Sequence, residues 1–419
     1  MLKGPIALGT IRTGLVLGVR LIVQAATLLL LASTLAPEGF GLYAGLGALA
    51  VLLGMLANFG THLALLRDVS RSSLAADEGL RLALGTTAFC GSILLLVYIA
   101  LSQMLLQVPD TMFWVILCLG SAEVLFQPFL VIGAMELHGR GRIALSQVLL
   151  LQPLVLRFFI VLTVAKNTPE VPLSWYALGH LAAVVVPVSF MVFLAPIIWR
   201  QPFRWRVARP PEWGGLAGYA VMNASANGVA ELDKMLAARL LSFGAAGVYA
   251  AASRVVGSLV LPVMAMMLSA MPRLFRDRTT ASRSLQYWLF VSACLYGMLA
   301  AGALLLVAPS VEALLGASYK GVGEIIRLLA FAVPAVCLRV AATNILTTLE
   351  RPWLRVSLEL LGWLVIVSLA LLFVRTHGKV GLAISIIIAE WLLAFGSVAL
   401  ISRISASSAK SLEGGRPHD

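Results

Sequence analysis

Twelve stretches of more than twenty mostly apolar residues run through this chain, separated by short polar gaps. They fall at roughly 12–35, 41–66, 82–106, 112–136, 143–165, 174–198, 214–241, 246–271, 285–309, 323–349, 353–374 and 379–402. A helix needs about 20 such residues to cross the hydrocarbon of a bilayer. No water is available there for backbone N–H and C=O groups, so only helices and closed barrels can span it. The stretches are unbroken and lack period-two alternation, which argues against barrel strands. The chain is therefore expected to be an all-α polytopic membrane protein of about twelve transmembrane helices. Charge content agrees: 12% of residues are charged, against about 25% in ordinary globular domains.

The 31 Lys and Arg residues set the orientation. With the N-terminus inside, nineteen fall in inner loops and tails, and only Lys166, Lys320, Arg375 and Lys379 fall in outer loops. That asymmetry places both termini in the cytoplasm. The net charge of +12 is thus a topology signal and does not point to nucleic acid. Cys90, Cys118, Cys294 and Cys337 all lie inside apolar runs, far apart in sequence, and read as small buried side chains with no metal or disulfide role.

The longest loop, WRQPFRWRVARPPEW at 199–213, is basic and aromatic and is expected at the cytoplasmic membrane surface. It divides the chain near its midpoint. The expected organisation is an N-terminal six-helix bundle (1–199), a basic linker (200–213), a C-terminal six-helix bundle (214–402) and a cytoplasmic tail (403–419). The halves resemble each other. A shift of 206 aligns LAPEGFGLYAGLGAL (35–49) with LSFGAAGVYAAASRV (241–255), matching Leu35 with Leu241, Gly41 with Gly247, Tyr43 with Tyr249 and Arg67 with Arg273. Six helices per half give both halves one orientation, and parallel repeats of this kind bracket a cavity that opens to alternate sides.

The stretches LAPEGFGLYAGLGALAVLLGMLANFGTHLALLRDVSR (35–71) and ELDKMLAARLLSFGAAGVYAAASRV (231–255) carry a family likeness. The chain resembles the polysaccharide (O-antigen and exopolysaccharide) flippases of the multidrug/oligosaccharidyl-lipid/polysaccharide exporter superfamily. The resemblance implies two six-helix bundles in a V. It also implies alternating access through a cationic cavity, carrying undecaprenyl-pyrophosphate-linked oligosaccharide from the inner to the outer leaflet of a bacterial cytoplasmic membrane. A proton or Na⁺ as coupling ion, and association with a polysaccharide polymerase, belong to the same expectation.

Charged residues inside the spans are the candidate site. A charge at mid-bilayer costs roughly 2.5–3.5 kcal/mol on insertion scales, so such side chains face a bundle interior or a wet cavity. On a helix over 214–241, Asn223, Asn227, Glu231 and Lys234 share one polar stripe, whereas Asp233 points elsewhere. Arg20 has Gln24 one turn on, Arg254 has Ser258 and Arg339 has Thr343; Arg157 lies in the outer half of its helix. Arg20, Gln24, Arg157, Asn227, Lys234, Arg254 and Arg339 are candidates to hold the diphosphate and glycan, because Arg offers forked donors to phosphate oxygens and Lys a point charge. Glu123, Glu390 and Asp233 are candidates for ion coupling. The alternative is that these bases and acids neutralise one another in interhelical ion pairs. No GxxxxGK loop occurs, so no nucleotide cofactor is expected. Two other functions stay open: a drug/cation antiporter of the same superfamily, or a membrane glycan polymerase or glycosyltransferase. The short outer loops count against the enzyme.

Overall fold

The computed structural model describes residues 5–71, 73–167, 172–195, 197–276, 280–348 and 352–413, and every regular element among them is helical. The α-helices are α1 (Pro5–Ala57), α2 (Thr61–Arg71), α3 (Ser73–Leu106), α4 (Phe113–Gly120), α5 (Gln127–Gly139), α6 (Ile143–Asn167) and α7 (Leu173–Leu194). They continue as α8 (Pro210–Leu240), α9 (Phe243–Ser258), α10 (Leu261–Arg276), α11 (Thr280–Leu315), α12 (Val322–Ala330), α13 (Val333–Thr348) and α14 (Pro352–Glu413). A π-helical turn, Ser121–Phe126, joins α4 to α5.

Among the described residues, eight helices are long and apolar enough to cross a membrane, and α12 with α13, bent by 48°, forms a ninth. Two of the eight, of 40 and 51 residues, are too long for one crossing. At 1.5 Å per residue they measure about 60 and 75 Å against about 30 Å of hydrocarbon. Each is broken near its middle. Ala36 (φ 53°, ψ 169°) precedes Pro37, which has no N–H and disfavours helix in the residue before it. Gly378 (φ 54°, ψ −134°) divides α14. Each therefore supplies two spans. With α8, whose polar stripe lowers its hydropathy, the twelve expected spans are accounted for. The chain is a multi-pass membrane protein.

Three predicted spans are interrupted, the run 323–349 by the bend between α12 and α13. The run 41–66 stops at Phe59 (φ 41°) and Gly60 (φ 76°) and resumes as the amphipathic α2. A Cβ at Gly60 would run into the Leu216 carbonyl of α8, so close backbone approach as well as the left-handed turn demands glycine there. In the second half, the run 246–271 turns at Leu259–Val260, between α9 and α10.

The chain forms two compact units, Met1–Ala251 with Leu314–Lys320, and Ala252–Ala313 with Gly321–Asp419. The first unit extends past the 200–213 linker because α8 runs along the second span of α1. Asn223 Nδ2 donates to the Met55 carbonyl at 3.2 Å, and Gly45 faces Ala238. Within this unit the two repeated motifs touch. A Cβ on Gly41 would overlap the Phe243 carbonyl, and one on Gly247 would overlap the Pro37 carbonyl. Under the 206-residue shift Gly41 maps to Gly247 and Pro37 to Phe243, so each contact is the other's counterpart, as a two-fold relation requires. In the second unit α13 packs against α10 and α14, and α12 against α14.

The 200–213 linker folds back onto the first unit. Arg206 N–H donates to the Arg81 carbonyl at 3.1 Å, and Ala208 N–H to Thr86 Oγ1 at 3.0 Å. Trp199, expected as a surface anchor, is buried beside Leu65, Leu84 and Ile132, and its Nε1 donates to Glu136 at 3.3 Å. Phe203 stays exposed. Arg206 holds Glu212 with two bonds of 2.8 and 2.9 Å, and the Arg209 N–H adds a third at 2.7 Å. These donors pull the Glu212 carboxyl down to about 2.

Candidate functional site

Pro128 shapes the first part of the site. It cannot donate to the Val124 carbonyl, so the helix takes the wider register of a π turn, in which Gln127 N–H reaches back to the Ala122 carbonyl. Glu123 sits in that turn. Gly54 of α1 lets the Glu123 carbonyl approach, since a Cβ there would collide with it. Asn58 Nδ2 donates to the Pro128 carbonyl at 3.3 Å. The Glu123 side chain meets His180 Nε2 of α7 at 2.7 Å, and His180 Nδ1 meets the Tyr43 hydroxyl of α1 at 2.6 Å. His180 and Tyr43 are buried. Sequence reasoning found Glu123 and missed both partners, His180, 57 residues beyond it, and Tyr43, 137 residues from His180. The usable signal was Tyr43 itself, which the repeat aligns with Tyr249.

Tyr249 does similar work at the equivalent position. Its hydroxyl donates to Asp233 Oδ2 at 3.2 Å, so Asp233 turns from the α8 stripe to α9. Asp233 Oδ1 receives the Lys234 ammonium at 3.2 Å, and Glu231 lies 3.7 Å from the same ammonium. Lys234 Nζ also donates to the Ala230 carbonyl. Lys234, predicted to face the substrate, is thus buried in a cluster with two carboxylates. Asn223 of the same stripe bonds back to α1. The Asn227 side chain lies outside the described residues.

In the second unit, Arg339 of α13 and Glu390 of α14 pair at 2.5 and 3.1 Å, and both are buried. Sequence reading gave them separate roles, substrate and coupling ion. The structure makes them partners, each neutralising a charge that is costly when buried alone. Arg355, half-buried, pairs with the buried Glu359 at 3.0 Å.

Arg20, Arg157 and Arg254 differ. Each is half-buried, and among the described residues no carboxylate pairs with any of them. The Nε atoms of Arg157 and Arg254 are buried with no hydrogen-bond partner. Gln24, one turn from Arg20, is half-buried as well. Buried N–H donors of this kind need an acceptor from outside the protein, water or an anion. Among the described residues no group of three His, Cys, Asp or Glu side chains could hold a metal ion.

No family model and no curated protein matches the chain. Solved structures do match in fold. The lipid II flippase MurJ in an inward closed conformation superposes with a TM-score of 0.76 at 12% identity, covering 94% of this chain and 87% of that one. An inward-facing multidrug resistance MATE family transporter of the MOP superfamily gives 0.70 at 14%, covering 93% and 96%. A MOP superfamily transporter from Pyrococcus furiosus, described for the reverse polarity of its binding pocket, gives 0.65 at 15%, covering 96% of each chain. The fold is that of the MOP-superfamily transporters.

Proposed function

We propose that this protein is a transporter of that superfamily and that it flips a lipid-linked oligosaccharide, an undecaprenyl-pyrophosphate glycan, from the inner to the outer leaflet of a bacterial cytoplasmic membrane. Both termini are cytoplasmic on this reading, with the Arg-rich linker inside. One observation carries it: Arg20, Arg157 and Arg254 lie in apolar spans with no carboxylate partner among the described residues, and two of them hold buried N–H donors that no described residue satisfies. An anionic headgroup would supply the missing acceptors. A diphosphate cannot cross hydrocarbon bare, and several moderate arginine contacts both shelter and release it. Lys234 and Arg339 would act indirectly, by holding α8 to α9 and α13 to α14.

A second reading, a drug/cation antiporter, is favoured by one feature. Among the described residues Glu231 and Asp233 outnumber Lys234 in their cluster, so these three together are anionic when all are ionised. The two readings separate in proteoliposomes loaded with a lipid-linked oligosaccharide or with a cationic dye. Glycolipid flipping is expected, lowered roughly tenfold or more by Arg157→Ala or Arg254→Ala, since a charged hydrogen bond contributes about 1.5–3 kcal/mol. Dye efflux without glycolipid movement, or flipping indifferent to all three arginines, would overturn the proposal. A lengthened or cleaved glycan would establish an enzyme instead.

A further inference from the structure

The chain of contacts from Glu123 through His180 to Tyr43 joins the π turn, α7 and α1 within one compact unit. We infer that it is a proton-binding site and that the imidazole of His180 is the group that takes the proton. Its use as the coupling step rests on the transport reading above; its chemistry does not.

The geometry keeps both protonation states hydrogen-bonded. In the neutral ring, Nε2–H donates to the Glu123 carboxylate and Nδ1 accepts from the Tyr43 O–H. A hydronium ion gives its proton to the Nδ1 lone pair and leaves as water, while the Tyr43 O–H releases Nδ1 and turns away. Nδ1–H then donates to the phenol oxygen, which changes from donor to acceptor. A hydroxyl is the partner that permits this exchange, since an amide N–H could not accept and a carbonyl could not donate.

With a neutral ring the Glu123–His180 pair carries −1, and with an imidazolium it carries zero. Among the described residues, neighbouring titratable and charged groups come from α3, α5, α6, α7 and α1. From α3, the Tyr98 phenol lies within electrostatic reach of Glu123 and its hydroxyl donates to the Leu46 carbonyl. The charged residues of α3, Asp77, Glu78 and Arg81, sit in its first turns, well before Gly91, which faces the π turn. On α5, Glu136 is already bonded to Arg140 at 2.8 Å and to Trp199. On α6, Arg157 is one turn from Ile160, whose side chain touches Gly179 beside His180. On α7 itself Tyr176 is buried one turn away. On α1, Glu38 lies five residues before Tyr43, and Arg20 lies beyond the Ala36 break.

The local backbone gives the proton an output. Glu123 occupies a π turn, a register that recurs at functional sites. Tyr43 is two residues from Gly41, where α1 crosses α9 at backbone contact. Reversing the Tyr43 hydrogen bond therefore acts on the crossing of the two repeats.

The test uses the full-length protein labelled with ¹⁵N in its histidine rings, followed by NMR against pH. The chain has five histidines, and loss of one signal in His180→Gln assigns the ring. The His180 signal should pass from its neutral to its imidazolium limit between about pH 9 and 4.5. In Glu123→Gln the passage should need at least tenfold more protons, because the neighbouring negative charge is gone. Tyr43→Phe should alter the tautomer pattern of the same ring. If His180→Gln does not accumulate, the ring displaced in Glu123→Gln makes the assignment. A signal fixed at one limit from pH 4.5 to 9, a passage unmoved by Glu123→Gln, or a signal that follows Na⁺ at constant pH would each overturn the inference. No glycolipid is present in this measurement. Flat titration with intact flipping rejects the site alone, and normal titration without flipping rejects the transport reading alone.

Discussion

Arg339 and Glu390, 51 residues apart in sequence, meet in a two-pronged contact of 2.5 and 3.1 Å that fastens α13 to α14. Both side chains are buried, so this contact is an internal clamp between two spans. Removing one partner strands the other charge. Arg339→Ala or Glu390→Ala should lower stability by about 3–5 kcal/mol, whereas the apolar double replacement Arg339→Met with Glu390→Leu should recover most of it. Thermal unfolding of the detergent-purified protein decides this. Equal loss in the single and double variants would show that the pair does something beyond neutralising itself.

The reciprocal glycine contacts predict matched sensitivity. Gly41→Ala and Gly247→Ala should each destabilise by about 1–3 kcal/mol, since the added methyl forces backbones apart. Their combination should cost less than the sum, because the first substitution already opens the crossing that the second disturbs. Melting temperatures of the two single variants and the double variant measure this. An additive pair would show that the contacts are independent.

At Gly378 the expected effect is local. With φ 54° and ψ −134°, this residue sits where a side chain is strained, and no neighbouring atom fills the space a Cβ would occupy. Gly378→Ala should therefore cost about 1–3 kcal/mol through backbone strain alone. The change should speed hydrogen exchange around 375–381 and leave exchange at α8 unchanged.

The Arg206–Glu212 contact gives a pH dependence of known sign. The Glu212 carboxyl titrates lower in the folded linker, near 2, than its ordinary value of 4.5. The contact's contribution is therefore fully present above about pH 4.5 and is lost as pH falls towards 2. Hydrogen exchange across 204–212 should stay constant from pH 8 to 5 after correction for intrinsic rate, and accelerate only below about 4. In Glu212→Gln it should be fast throughout. Loosening of the wild-type linker between pH 7 and 5 would contradict the assignment.

Much of the architecture was legible because apolar length is a local property. The twelve spans, the repeat at a shift of 206 and the polar stripe on α8 need no knowledge of which helix neighbours which. The breaks at Ala36 and Gly378 fell in predicted gaps, yet the one at Phe59–Gly60 was hidden. Asn-Phe-Gly-Thr is not polar enough to interrupt a hydropathy pattern, and the cause is the backbone of α8 some 156 residues away. The site was harder for the same reason. Charge alone marked Glu123, Lys234, Asp233, Arg339 and Glu390. Which acid neutralises which base depends on neighbours that sequence order does not give. His180 was invisible because a single imidazole in an apolar run carries no pattern. Arg20, Arg157 and Arg254 separated from the other cations only once the carboxylates had found their places.

The crossing of Gly41 with Gly247 also bears on origin. Pro37 meets Gly247 while Phe243 meets Gly41, and that is how two copies of one chain associate about a dyad, each offering the same patch to the other. A half-length ancestor that paired with itself, later duplicated and joined end to end, would leave this mark. Two sister segments inside a single polypeptide thus still clasp one another as a homodimer does.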